Sequence, residues 1–437
     1  MSTGPNYSVL SISAVEAGLP FLPIYTDNAG PLGGSSGSKL IPAVSLRHVS
    51  QNIKTAYTEQ WNFGLEREVR PNVVASLGYN GARGLHQYSI SNINEPGFAP
   101  LYLGDTTPNV RLNTQYGNTN NRGSLGDAYY HGLVGALRGR MKNIQWNASY
   151  TYSHSIDTLS STFSDEVANN GLGYLDPFKP ALDKGNSDYD ARHRISISAV
   201  VPLPIFKNYS NTFLKQALGG FQFAPIYTYH SGYPFTVFDC SFGASPYNCP
   251  RAFMVPGAAI PKGGKAGADL GGNIFNYMSV PASIPDQDFN PGPFEYTGPA
   301  FIPGTATPFP FAASNLPTCT GLKGQGCSFP SNMLSRNSFV GPGNWNLNFG
   351  IYKDFKLTER VNVQFRGEFF DLTNHKNFYI LGFGQGGADV SVYNTCSAGG
   401  TQPCTANAPF AQAKKGGYGS NEFDDHRNVQ LALKVIF

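Results

Sequence analysis

The chain has 437 residues, with 50 Gly, 32 Pro, 31 Phe and 24 Tyr but only 14% charged residues and a formal net charge of +3. It carries no basic block to meet nucleic acid and no run of about 18 apolar residues to make a transmembrane helix. Abundant turn formers beside abundant aromatics point instead to long strands joined by irregular connections.

Residues 1–56 read as a loop-rich segment with at most one strand, beginning near Tyr7, because Leu10 and Ile12 spoil the alternation of Tyr7, Val9 and Ser11. Met1 to Asn6 offers neither the basic nor the apolar region of a signal peptide, so an envelope protein with this start is expected to be an incomplete precursor. Gly33-Gly34-Ser35-Ser36-Gly37 fits the G-x-S-x-G esterase pattern. That motif needs a strand before it and a helix after it, and neither is predicted, so the stretch reads as flexible loop.

From Tyr57 the period becomes two. Tyr57, Trp61, Phe63 and Leu65 alternate with Thr58, Gln60, Asn62 and Gly64; the chain turns at Val69-Arg70-Pro71; and Val73, Ala75, Leu77 and Tyr79 carry the return. The Gly/Asn-rich segment 83–128 reads as a long loop. Tyr129 to Gly139 then pairs across Arg140-Met141-Lys142-Asn143 with Ile144, Trp146, Ala148, Tyr150 and Tyr152. After a polar segment, 157–191, come Ile195, Ile197, Ala199, Val201 and Leu203; after a medium connection come Phe221, Phe223, Tyr227 and Tyr229.

A Gly/Pro-rich excursion, 233–344, precedes Trp345, Leu347, Phe349, Ile351 and Phe355, with Lys353 the one charge on the apolar side. Lys356-Leu357-Thr358-Glu359 turns the chain into Val361, Val363, Phe365 and Phe369, whose opposite face carries Gln364, Arg366 and Glu368. After segment 373–426, the last strand places Val429, Leu431, Leu433, Val435 and Phe437 on one face and Gln430 and Lys434 on the other.

Nine strands are thus counted from Tyr57, several of roughly 11–13 residues, near the length that crosses a bilayer at a tilt. Alternation alone fits two architectures. A soluble sandwich buries its apolar face on a second sheet, whereas a membrane barrel turns it to lipid and its polar face to a lumen. The connections discriminate: short turns gather at one end of the strands and long segments at the other, as in an outer-membrane barrel.

Six cysteines fall into three close pairs, Cys240 with Cys249, Cys319 with Cys327 and Cys396 with Cys404, each inside a loop-like segment. The spacings match no zinc set, and local disulfides are the simplest pairing; free thiols are the alternative. Two polar clusters, Asp188, Asp190, His193 and Arg194, then Glu422, Asp424, Asp425, His426 and Arg427, have the residue types for metal binding or acid–base work. Both lie where a loop enters a strand, so they read as ion-paired junctions. Gly382 to Gly387 lacks a βαβ context and reads as loop. Neither a catalytic residue nor a cofactor or metal site is assigned.

Several stretches, in order, resemble the Oar-like family of TonB-dependent receptors: Tyr57-Thr58-Glu59-Gln60-Trp61-Asn62-Phe63-Gly64-Leu65-Glu66-Arg67-Glu68, Gly78-Tyr79-Asn80-Gly81-Ala82-Arg83-Gly84, Ala148 to Asp157, Asp190-Ala191-Arg192-His193-Arg194, Ser231 to Val237, Phe365 to His375, and Lys434-Val435-Ile436-Phe437. The resemblance covers residues 57 to 437. It implies an all-β, antiparallel transmembrane outer-membrane β-barrel, with about 9–10 strands here as the C-terminal part of a larger barrel that normally has 22. Relatives precede such a barrel with a signal peptide, a carboxypeptidase-regulatory-like domain and a plug.

The implied partners are outer-membrane lipid and the barrel-assembly machinery, which would read the terminal strand, and the TonB system where a longer chain supplies a plug and TonB box. The expected role is uptake or surface binding of an unidentified substrate, without enzymatic activity. A self-contained small barrel serving as adhesin or structural protein, and a secreted β-sandwich binding module, are the competing readings. A plug-encoding region upstream would separate the first two, and solubility without detergent would favour the third.

Overall fold

The computed structural model describes residues 6–9, 44–94, 116–161, 174, 180–204, 217–237, 251, 269–271, 274–276, 334–356, 358, 361–380, 412–415 and 426–436. Nine strands organise them: β1 (Tyr57–Arg70), β2 (Val73–Asn92), β3 (Tyr116–Met141), β4 (Ile144–Asp157), β5 (His193–Pro202), β6 (Phe221–His230), β7 (Asn344–Lys356), β8 (Asn362–Phe370) and β9 (Asn428–Ile436). Each pairs antiparallel with the next, in chain order. These are the nine strands that the alternation predicts. Among the described residues no helix is long and apolar enough to cross a membrane.

Two of the three short turns are tighter than the sequence suggests. Pro71 and Asn72 alone join β1 to β2, with Asn72 at φ 63°, a conformation that asparagine tolerates better than most residues. Its N–H donates to Glu68 Oε1 at 2.9 Å, and its carbonyl accepts from the Arg140 N–H at 2.9 Å. Lys142 and Asn143 join β3 to β4, with Lys142 at φ 54°. At the turn into β8 the Val361 N–H donates to Thr358 Oγ1 at 3.0 Å.

Paired residues of a ladder point to the same face, so register decides whether nine alternating strands make one apolar surface. They do. One row reads Leu65, Leu77, Gly135, Tyr150, Ile195, Tyr229 and Trp345 across β1 to β7; another reads Phe221, Lys353, Phe365 and Leu433 across β6 to β9. The opposite face reads Glu66, Ser76, Ala136, Ser149, Ser196, Thr228 and Asn346. No strand is out of phase. Among the described residues β1 pairs only with β2, and β9 only with β8.

Three expectations are corrected. Segment 83–128 is strand at both ends, since β2 runs on to Asn92 and β3 begins at Tyr116. At about 3.4 Å per residue β3 is roughly 90 Å long, far more than a bilayer requires. The sequence hides this because the alternation stops while the backbone ladder continues, with register shifts near Gln87 and with Ser89, Ser91 and Asn92 buried beside Leu85 and Ile90. The described residues of 1–56 hold two strands where at most one was expected: Asn6–Val9 pairs antiparallel with Val44–Val49, and Val44–Val49 pairs in parallel with the start of β3.

Segments 233–344 and 373–426, expected as loops, also contain short strands. Pro234–Phe235 pairs with Phe339–Val340. Asp269–Gly271, Ile274–Asn276, Gln412–Lys415 and Phe378–Ile380 form a small antiparallel sheet. The core is displaced accordingly. Buried apolar side chains, among them Leu85, Phe235, Val237, Leu334, Phe339 and Ile380, belong to the long-connection end, whereas Phe63, Leu65, Leu431 and Leu433 on the strands are 61–68% exposed.

Candidate functional site

The polar face gathers the side chains predicted to line a lumen. Register sets Gln364 opposite Lys434, Arg366 opposite both Tyr352 and Ala432, and Glu368 opposite Gln430. Gln364 Nε2 donates to Asp354 Oδ1 at 2.9 Å, Arg366 Nε donates to Gln364 Oε1 at 2.6 Å, and the Tyr352 hydroxyl donates to Glu368 Oε1 at 3.0 Å. The Arg366 guanidinium also lies 5.8 Å from the centre of the Tyr352 ring. One connected chain of alternating charge therefore crosses β7 and β8, while Gln430 and Lys434 stand exposed on β9. On the same face Arg138 and Glu66 pair at 2.5 Å across β2.

The apolar face is kept by a different chemistry. All three tryptophans, Trp61, Trp146 and Trp345, sit on it. Toward the long-connection end aromatic rings meet histidines: Tyr79 OH lies 2.7 Å from His131 Nδ1, Tyr150 OH lies 2.8 Å from His193 Nδ1, and Trp345 stacks on His375 at 4.0 Å. Rings with polar tips suit an apolar-to-aqueous boundary. Lys353, the predicted exception, is buried. Its ammonium donates to the Gly219 carbonyl and lies 4.7 and 4.9 Å from the Phe221 and Phe355 ring centres, so the charge leaves the face along its own stem.

The terminal strand places Val429, Leu431, Leu433 and Val435 on the apolar face, all exposed, in register with Phe369, Gly367, Phe365 and Val363. Phe437 and all six cysteines lie outside the described residues.

A second polar assembly was missed by sequence reasoning. The five N–H donors of the buried Arg336 guanidinium meet five acceptors. Nε donates to the Asp183 carbonyl at 2.8 Å; Nη1 to Ser160 Oγ at 3.1 Å and Asp188 Oδ1 at 3.2 Å; Nη2 to the Asp157 carbonyl at 2.9 Å and to the Asp157 carboxylate. Beside it Asn337, at φ 56°, exchanges hydrogen bonds with Thr236 and Asn186, and its Nδ2 donates to Asp188 Oδ1 at 2.6 Å. Burial pushes the Asp188 carboxyl above its ordinary range, against the pull of the Arg336 charge. Burial likewise lifts the Tyr174 hydroxyl to about 12.

The cluster Asp188, Asp190, His193 and Arg194 is therefore divided. Asp188 joins Arg336; Asp190 pairs with Arg192 at 2.9 Å and accepts the Ser155 N–H at 2.8 Å; His193 turns to Tyr150. Of the second cluster, only His426 and Arg427 fall within the described residues. No group of three or more His, Cys, Asp or Glu side chains placed to hold a metal ion occurs among the described residues.

A family model described as the outer membrane beta barrel domain matches residues 2–429. No curated protein matches the chain. Among solved structures the chain is similar to the outer membrane transporter YddB from Escherichia coli, with 10% identity and a TM-score of 0.39, covering 90% of this chain and 34% of that one. It is also similar to the ferripyoverdine receptor of the outer membrane of Pseudomonas aeruginosa, solved with ferripyoverdine, with 9% identity and a TM-score of 0.34, covering 87% of this chain and 27% of that one. The chain thus spans about a third or less of the length of either.

Proposed function

Because the chain belongs to the outer membrane beta barrel domain family, and its place is therefore the outer membrane, we propose that its nine strands form an arc of the wall of a TonB-dependent receptor of the Oar-like kind, working in uptake or surface binding. The observation that carries the proposal is the phase of the ladder. Nine strands present one mainly apolar face in continuous phase, uncovered among the described residues, and one polar face crossed by paired charges. Water would penalise such a face and lipid would not.

Strand edges support this reading over the alternatives. In hydrocarbon every backbone N–H and C=O must be paired, so the outer edges of β1 and β9 need partner strands. A self-contained small barrel would need β1 and β9 to pair with each other, which they do not among the described pairings; a sandwich would need a second layer on the apolar face. The receptor assignment itself is supported by the ordered Oar-like stretches, among them Phe365 to His375, which run along β8 and out of its end.

The test uses the protein at its natural length, purified from its outer membrane and inserted into a planar lipid bilayer. A plugged receptor conducts little until a denaturant loosens the plug. A pore that conducts from the start would refute the receptor reading in favour of an open barrel, and failure to insert would favour a secreted module.

A further inference from the structure

We propose that Arg336 is the keystone of a preassembled cap: with Asp157, Asp188 and Asn337 it locks the base of connection 231–343, residues 334–340, against residues 183–190 and the end of β4, on the polar-face side of the sheet, so that 157–160, 183–190 and 334–340 open as one unit separate from strands β6 to β8. The partners are remote in the chain, 179 residues apart for Arg336 and Asp157 and 149 for Asn337 and Asp188. Arg336, Asp157 and Asn337 are nonetheless buried, the first two to about the same degree, and Asp188 is partly buried.

The side on which the lock lies follows from register. Asp157 continues the alternation of Thr151, Ser153 and Ser155 on the polar face, and Gly185 pairs with Asp157, so a side chain at 185 would point the same way. A Cβ at Gly185 would run into the Arg336 carbonyl. The base of the long connection therefore crosses over the polar face, and glycine is required there for close approach.

The cap has the interior that the strands lack. Phe235 and Phe339 lie opposite each other in a two-residue ladder with ring centres 5.6 Å apart, and Val237 and Leu334 are buried with them. Arg251 is buried as well, donating to the Leu182 carbonyl at 2.9 Å. Removing the guanidinium would leave the Asp157 and Asp188 carboxylates buried without their cation, a costly state that opening into water relieves. The guanidinium touches the sheet at Asp157, the last residue of β4, and its other acceptors, at 160, 183 and 188, lie outside strands β5 to β9. The proposal stands whether or not the sheet belongs to a TonB-dependent receptor.

Amide exchange of the natural-length protein, folded in outer-membrane vesicles, tests it. In the wild type, peptides spanning 157–160, 183–190 and 334–340 should share one protection level. Arg336→Met should speed all three by roughly tenfold or more together, with strand peptides of β6 to β8 and heat-modifiable migration unchanged. Should that variant fail to assemble, Asn337→Ala should speed the same peptides to a smaller extent. Exchange of 334–340 alone, with 183–190 still protected, would overturn the proposal. So would unequal protection in the wild type, or loss of strand protection together with the cap.

Discussion

Replacing Leu431 by arginine tests the bilayer reading at the place where it makes the largest demand. Strand β9 runs Asn428–Ile436, so Leu431 and Leu433 flank its midpoint. At about 3.4 Å per residue and a tilt of about 40°, one residue advances roughly 2.5 Å along the membrane normal, which puts Leu431 within about 3 Å of the middle of the strand. It is 66% exposed and faces Gly367, which offers no side-chain acceptor. Lys353 is accommodated on the same face because Gly219 supplies a carbonyl, and a guanidinium at 431 would find no such partner.

The expected cost of Leu431→Arg is about 2–4 kcal/mol, a shift of roughly 30- to 700-fold in the folding equilibrium. Gln430→Arg, one residue away on the polar face, should cost little. The assay is a urea titration of the natural-length protein in lipid vesicles, followed by tryptophan fluorescence, since Trp61, Trp146 and Trp345 all lie on the face in question. Equal costs at 430 and 431 would refute the reasoning, because water on both faces treats the two arginines alike.

Asp188→Asn should flatten the pH dependence of cap opening. The native carboxyl holds its proton to a higher pH than the unfolded chain, so stability is lost as pH rises from the ordinary aspartate value of 3.8 through the raised native one. An amide oxygen at 188 can still accept from Arg336 and Asn337, so intrinsic-rate-corrected exchange of 183–190 should lose its pH slope without faster opening at neutral pH; an unchanged slope would reject the assignment. Non-reducing mass spectrometry of envelope material should find bridges Cys240–Cys249, Cys319–Cys327 and Cys396–Cys404, and six alkylatable thiols would exclude them. Phe437→Asp should lower the yield of folded, heat-modifiable protein far more than Ile436→Asp, which changes the opposite face, and equal yields would remove the terminal aromatic from assembly.

The membrane-crossing pattern was legible in the sequence because its cause is local. A strand with a different solvent on each face must alternate, and Trp345 to Phe355, Val363 to Phe369 and Val429 to Val435 do so without reference to any distant residue. The short turn after Lys356 obliges the first two to pair, whereas the third pairs with the second across a long connection, which only the structure shows. Tertiary structure alone decided what lies beyond the bilayer band. There Ser89, Ser91 and Asn92 continue a strand whose two faces no longer meet different solvents, so the period that reveals strands disappears while the ladder persists. The Arg336 lock was invisible for a related reason: its acceptors come from residues 157, 160, 183 and 188, and a guanidinium chooses them by position in space, leaving no spacing in the sequence to read.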